Sequence, residues 1–261
     1  TGVQTCALPI FSGSSTICTG ATAQFKVDLT GYSPWTFVYS NGTSNTTVNT
    51  STTPVFINVT PSTTKTYTLV SVSGPYCSGT VSGSASVTVN APPTVTLSNL
   101  GSVCNNTSKV LTQGSPLGGT YSGNYVQSGT FFGNLSGIGT FNVTYTYGSN
   151  LGIGCQQSAT NTILVNSSPV ITSFTPTTGP VGTNVSISGY GFTGVNNVQF
   201  NNVPSSQFNV INDLAISAVV PQSATTGPIK LINSNGCMTS TVNPYGVGTP
   251  TASCTVNLKV F

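Results

Sequence analysis

Only seven of the 261 residues carry a full charge: five Lys and two Asp, with no Arg, Glu or His. Side-chain acid–base or nucleophilic catalysis needs a poised titratable pair or a ligated metal, so most hydrolase and transferase chemistry is excluded before any motif is sought. A solvated helix needs long polar or charged side chains along its outer face, and a charged fraction of 3% leaves long amphipathic helices without one. Ser, Thr and Asn fill that role beside 29 Gly and 16 Pro, the composition of short strands joined by many turns. A hydrophobic fraction of 37%, rich in Val, Ile, Phe and Tyr, supplies several small cores and separates the chain from disordered ones.

The net charge of +3 does not mark a nucleic-acid binder. Lys26, Lys65, Lys109, Lys230 and Lys259 are scattered, whereas a phosphate track needs clustered cations with stacking aromatics between them. No run approaches the roughly 20 apolar residues of a membrane helix. The sequence therefore predicts no nucleic-acid partner, no membrane insertion within this chain and no cofactor.

The first ten residues, TGVQTCALPI, read as the in-frame translation of a common short-read sequencing adapter, and the next adapter base also opens the Phe codon at position 11. Residues 1–10, Cys6 among them, are set aside from fold reasoning on that ground, and the chain is expected to be a piece of a longer protein. Six cysteines then remain: Cys18, Cys77, Cys104, Cys155, Cys237 and Cys254. Without CxxC spacing or His they do not form a zinc site, and an even count reads as disulfides in an oxidising compartment. The expected pairs are Cys18 with Cys77 and Cys104 with Cys155, each closing one domain-sized loop and contributing about 4 kcal/mol in the chain-entropy model. Cys237 and Cys254 are left for each other, although Cys254 stands where the chain enters a further domain.

Period-2 alternation marks strands throughout. Ala23, Phe25, Val27 and Leu29 alternate with polar residues, as do Trp35, Phe37 and Tyr39, then Val55, Ile57 and Val59, then Ala85, Val87 and Val89. Phe141, Val143, Tyr145 and Tyr147 repeat the pattern further on. Junctions at Ala91-Pro92-Pro93 and Ser167-Ser168-Pro169 divide the chain into units at 11–91, 92–168 and 169–243. Residues 244–261 read as a linker and the first strand of a further, truncated domain. The fold class is all-β: tandem small antiparallel immunoglobulin-like β-sandwiches, beads on a string.

The third unit resembles the IPT/TIG family of immunoglobulin-like domains. The resemblance is carried by I-x-x-F-x-P-x-x-G-P-x-G-T from Ile171, by V-x-I-x-G-x-G-F from Val185, by V-x-F-N-x-V-P from Val198, and by A-x-V-P followed by T-T-G-P-I. Gly179, Gly182, Gly189, Gly191 and Gly194 fall between its strands, where turns need positive φ. It departs from the family after Ile232, where SNGCMTSTVNPYG replaces a clean closing strand. The first two units resemble PKD-like and Ig-like repeats of large surface proteins of Bacteroidetes, through ICTGATAQFKVDLTGYSPWTFVYSNG and TKTYTLVSVSGPYCSGTVSGSASVTV, and through VCNNTSKVLTQGSPLGGTYSG and GTFNVTYTYG. That resemblance implies export, by the type IX route, and presentation at the outer cell surface.

Trp35, the single Trp, is either a sugar-stacking platform or a core residue packed against an inter-sheet disulfide, and its place between Cys18 and Cys77 favours the core. Tyr32, Tyr121, Tyr125 and Tyr190 lie in Gly-rich loops and are the other candidate glycan contacts. Asp28 and Asp213 are too far apart in sequence, and in different units, to serve as a glycosidase pair, and one carboxylate per unit is a poor calcium site. Lys26 and Asp28 share a strand face as a solvated pair. The N-x-S/T triplets at Asn41, Asn45, Asn49, Asn58, Asn106, Asn134 and Asn142 are expected by chance in such a composition. The leading expectation is a non-catalytic stalk or adhesin-type spacer of a large secreted or surface protein. The alternative is a carbohydrate-binding accessory region of a secreted polysaccharide-degrading enzyme. Expected partners are glycans, surface proteins of host or neighbouring cells, and adjacent domains of the same chain.

Overall fold

The computed structural model describes residues 9–76, 78–148 and 155–249. Cys6, Cys77, Cys254 and the strand expected from Cys254 onwards lie outside them. Strands dominate, and the one helical element among the described residues is a four-residue turn, α1 (Gly133–Ser136).

The first sandwich comprises β1 (Ile10–Ser12), β2 (Ser15–Cys18), β3 (Ala23–Asp28), β4 (Trp35–Ser40), β5 (Asn45–Thr50), β6 (Val55–Val59), β7 (Lys65–Ser73), β8 (Ser78–Gly79) and β9 (Ser84–Asn90). One sheet runs β1-β3-β6 and the other β2-β9-β7-β4-β5, with β8 attached to β7. The chain therefore changes sheets between β1 and β2. Gly13 makes the change: its φ is +120°, and a side chain there would crowd the Gln24 carbonyl and the Phe25 backbone. After it, β2 pairs parallel with the last strand, Ser15 opposite Val87 through Cys18 opposite Asn90. β1 begins at Ile10, one residue inside the segment set aside on sequence grounds, because Ile10, Phe11 and Ser12 pair in register with Asp28, Val27 and Lys26. The alternating residues of β3, β4, β6 and β9 point inward as expected, and Phe25, Val27, Phe37, Ala85 and Val87 are fully buried.

The middle region contains β10 (Thr96–Leu97), β11 (Ser102–Cys104), β12 (Ser108–Val110), β13 (Gly114–Ser115), β14 (Thr120–Ser122), β15 (Val126–Gln127), β16 (Thr130–Phe132), β17 (Gly139–Tyr147) and β18 (Gln157–Asn166), with α1 between β16 and β17. Its sheets run β11-β18-β17-β14 and β12-β16-β15, and β10 pairs with β13. β11 repeats the role of β2, pairing parallel with the last strand so that Cys104 stands opposite Asn166. Tyr145 is buried on β17; its hydroxyl donates to the Pro116 carbonyl and accepts from the Gly119 N–H. Gly114 and Gly119 leave room for that ring, which a Cβ at either position would strike.

The third sandwich holds β19 (Val170–Thr175), β20 (Thr178–Gly179), β21 (Asn184–Tyr190), β22 (Val195–Phe200), β23 (Val203–Pro204), β24 (Phe208–Asn212), β25 (Ala215–Val219), β26 (Ile229–Asn233), β27 (Met238–Ser240) and β28 (Gly246–Val247). Its sheets run β19-β21-β25-β24 and β23-β22-β26-β27. The closing strand that the sequence left undefined is divided between β27 and β28. β28 pairs parallel with β20, Thr178 opposite Gly246. Tyr245 is fully buried against Phe200 and Phe174, so the core continues past residue 243. Each repeat thus carries one parallel strand pair that joins its second strand to its last: β2 with β9, β11 with β18 and β20 with β28.

Backbone packing groups the chain into two compact units: the described parts of Thr1–Thr96, Gly114–Thr120 and Tyr145–Ala159, and those of Leu97–Gln113, Tyr121–Thr144 and Thr160–Phe261. In the second unit β19 meets β21 through a register shift, and Gly189 lies under it. A Cβ on Gly189 would fall on the Val170 carbonyl and the Phe192 ring, neither of which can retreat from a packed sheet. Gly189→Ala is therefore expected to destabilise the second unit by about 3 kcal/mol or more, read by denaturant unfolding of the whole chain.

Candidate functional site

The two disulfides among the described residues do not close the loops that the sequence predicted. Cys18 is bonded to Cys155, with Cα atoms 5.5 Å apart, and Cys104 to Cys237, with Cα atoms 5.6 Å apart. The expected pairs Cys18 with Cys77 and Cys104 with Cys155 are replaced, and Cys237 is not left for Cys254. The expectation assumed that each bridge closes its own repeat. Instead, Cys18 and Cys104 occupy equivalent places at the ends of the short parallel strands β2 and β11, which lie at the rim of their sandwiches. A cysteine at a rim is beyond the core of its own repeat and meets the hairpin of the following one.

The backbone around the two cysteines is the same. Thr19 N–H donates to the Asn90 carbonyl and Ala21 N–H to the Cys18 carbonyl; Asn105 N–H donates to Asn166 and Thr107 N–H to Cys104. The partners Cys155 and Cys237 stand in similar places, Cys155 two residues before β18 and Cys237 one residue before β27. In the first unit the Cys155 sulfur lies 3.3 Å from the Asn90 carbonyl oxygen.

The second unit shows how such a junction is secured. Asn105 Oδ1 accepts from the Ser168 N–H at 2.9 Å, and Asn106 Oδ1 accepts from the Ser168 hydroxyl at 2.9 Å. Asn106 Nδ2 donates to the Met238 carbonyl at 2.9 Å, and Asn233 Nδ2 to the Ser167 carbonyl at 2.8 Å. Asn233 Oδ1 in turn accepts from the Cys237 and Asn235 N–H groups. Ser168 and Asn233 are buried at 5% and 7% exposure, so the Ser167-Ser168-Pro169 junction is a largely buried segment tied down by side-chain amides. Asp213 braces the loop beside it, accepting from the Gly191 and Thr193 N–H groups, while Gly191 packs near Ser168 and Pro169. The Thr193 and Gly191 hydrogen bonds hold the Asp213 carboxyl below its ordinary value. Its contribution to folding is therefore present above the ordinary carboxylate range and is lost as pH falls through that lowered value.

None of Asn105, Asn106, Ser168 or Asn233 stands out in a sequence crowded with Asn and Ser. The signal that could have found them is the repetition of Cys-Thr or Cys-Asn after a short strand and Asn-x-x-Pro after a long one. Asn106 also begins an N-x-S/T triplet, and both ends of its amide are engaged in the junction.

The aromatic candidates separate in space. Trp35 is 6% exposed and belongs to the first core, with its indole N–H donating to the Thr30 carbonyl at 3.2 Å, so its faces are covered by side chains rather than open to a sugar. Tyr32 is exposed and meets Tyr76, a residue the sequence reading passed over. Tyr121 is half-buried. Tyr125, at φ 63°, packs edge-on against Phe141, and Tyr190 is exposed at the end of β21. Tyr32 lies in the first unit and Tyr121, Tyr125 and Tyr190 in the second. Lys26 and Asp28 form a surface ion pair at 2.9 Å, which at such exposure has little energetic weight. Among the described residues no cluster of His, Cys, Asp or Glu could hold a metal, and no helix is long and apolar enough to cross a membrane, which says nothing of β-barrels.

These features define a tandem array of immunoglobulin-like sandwiches with covalent junctions. Residues 169–246 match the IPT/TIG domain family, and residues 12–87 match the Ig-like domain family of nucleoporin POM152. Comparison with curated proteins yields no match. Among solved structures the chain is similar to a Bacteroides ovatus protein, SGBP-B of a mixed-linkage glucan utilization locus in complex with a mixed-linkage heptasaccharide, at 14% identity over 90% of this chain and 67% of that one, TM-score 0.28. It is similar to Sidekick-1 immunoglobulin domains 1–5 at 12% identity over 94% of this chain and 60% of that one, TM-score 0.27. It is also similar to the ICAM-5 D1–D4 ectodomain fragment at 9% identity over 91% of this chain and 75% of that one, TM-score 0.34.

Truncating Asn106 would remove the partner of the buried Ser168 hydroxyl, while water can reach the carbonyl of the exposed Met238. Asn106→Ala is expected to cost about 1 kcal/mol in the second unit, with faster amide exchange at Ser168, measured by hydrogen–deuterium exchange.

Proposed function

We propose that this chain is a non-catalytic spacer segment of a larger protein that works outside the cell, in a stalk or adhesin-type region that holds other modules at a distance. The observation that carries the reading is the order of the bonded cysteines. Cys18, Cys104, Cys155 and Cys237 follow one another along the chain, and the bonds join first to third and second to fourth. The two loops overlap. Cutting any single peptide bond between Cys18 and Cys237 therefore leaves both fragments covalently attached, which the pairing expected from sequence would not do between residues 77 and 104 or beyond 155.

Tension along the chain meets the same constraint. The covalent path from Cys18 to Cys237 runs through the two bridges and only the Cys104–Cys155 segment, so the remaining residues of both loops cannot be paid out as length while the bridges hold. Disulfides form and persist in oxidising compartments, which supports the export that the Bacteroidetes-type resemblance implies. A nearly uncharged, hydroxyl-rich surface keeps its hydration over a wide range of ionic strength, because little of it depends on screened charges. The sparse charge likewise supports the non-catalytic reading: Asp28 and Asp213, the two carboxylates, lie in different units, and Asp213 is committed to backbone donors.

Limited digestion with a protease of broad specificity tests this reading. The nicked protein is expected to run as one species near 26.6 kDa without reductant and to fall into fragments once reduced. Fragments that separate without reductant would overturn it.

A further inference from the structure

Tyr32 and Tyr76 form an exposed aromatic corner at one end of the first sandwich. Tyr32 is carried by the loop between β3 and β4, Tyr76 by the loop between β7 and β8, and the rings meet at 90° with centroids 6.1 Å apart. Both stay in solvent, at 72% and 71% exposure, although exposed aromatic rings are costly to hydrate and one ring could have buried the other. The corner stands on a firm base. Trp35 lies buried beneath it, tied to the Thr30 carbonyl of the Tyr32 loop. Gly74 brings the second loop close to both, since a Cβ there would sit 3.2 Å from the Tyr32 carbonyl and 3.8 Å from the Trp35 ring. Pro34 and Pro75, both exposed, flank the rings and remove backbone freedom from the two loops.

We infer that this corner is a binding site for a neutral pyranose unit of a glycan, stacked on one tyrosine ring and hydrogen-bonded by the other phenol. Size and charge select this ligand over a protein. A stable protein interface takes roughly 20–30 residues from each side; the described parts of the two loops offer six exposed side chains, Thr30, Tyr32, Ser33, Pro34, Pro75 and Tyr76. Neither loop contains a charged residue, so an acidic or phosphorylated ligand would find no counter-charge. A sugar ring presents an apolar C–H face to an aromatic ring and hydroxyls at its rim, and each tyrosine offers a rigid apolar face and a polar tip in a preset geometry. The site does not depend on the spacer reading, and a spacer that holds one sugar site at its end is still a spacer.

The test uses the whole oxidised chain and a panel of neutral oligosaccharides of glucose, galactose, mannose and xylose, titrated to about 5 mM with isothermal calorimetry or tyrosine fluorescence. At least one of them is expected to bind. Tyr32→Ala and Tyr76→Ala should each weaken that binding by about tenfold or more, while Ile211→Ala, an exposed residue of the other unit, leaves it unchanged. Thermal unfolding of each variant keeps loss of the site distinct from loss of the fold. Absence of binding across the panel, binding indifferent to both Tyr32→Ala and Tyr76→Ala, or binding to proteins in place of sugars would overturn the inference. None of these results bears on the disulfide order, so the spacer reading stands or falls separately.

Discussion

A short parallel strand at the edge of each sandwich sets the terms for the rest of the molecule. In the first two repeats the chain leaves one sheet, pairs with the last strand of its own domain for three or four residues, and ends on a cysteine opposite an asparagine. That pairing fixes the cysteine at the rim, where the core of its own sandwich cannot reach it. The bridge then runs to a cysteine just ahead of β18 or β27, and in the second unit the hydrogen bonds of Asn105, Asn106, Ser168 and Asn233 surround it. Small all-β domains bury a modest fraction of their surface and are marginally stable alone. Here a bridge across more than 130 residues adds stability on the order of 5 kcal/mol in the chain-entropy model.

The lack of charge shapes what the junctions are made of. With few ions available, polar satisfaction inside them falls to amides and hydroxyls, which can donate and accept without the desolvation cost of a buried ion. Asn is suited to this, because one side chain can receive from a backbone N–H and donate to a carbonyl, as Asn106 and Asn233 do. Asp213 follows the same logic from the outside of the loop, where its charge stays in water while its oxygens order the turn at Gly191–Thr193.

Strands with a simple period were legible in the sequence: the inward residues of β3, β4, β6, β9 and β17 follow the alternation, and the Gly and Pro order of the third repeat marked its family. The pairing of the cysteines was not legible, because spacing along a chain favours the nearest domain-sized loop and carries no information about which rim faces which hairpin. The split closing strand of the third repeat was hidden for a related reason. Its two halves, Met238–Ser240 and Gly246–Val247, are too short to show a period, and Tyr245 between them is recognisable as core only once Phe174 and Phe200 surround it. Among the candidate aromatics, Trp35 had a sequence signature of burial, whereas Tyr76 acquired interest only through its position against Tyr32. Neighbours across a loop end are set by tertiary structure, not by sequence distance.

Peptide mapping of the unreduced protein by mass spectrometry tests the account where everything else depends on it. Cross-linked peptides joining Cys18 to Cys155 and Cys104 to Cys237 are the predicted result. A peptide pair joining Cys104 to Cys155 would contradict it, because each repeat would then be closed on itself and the overlapping loops would not exist.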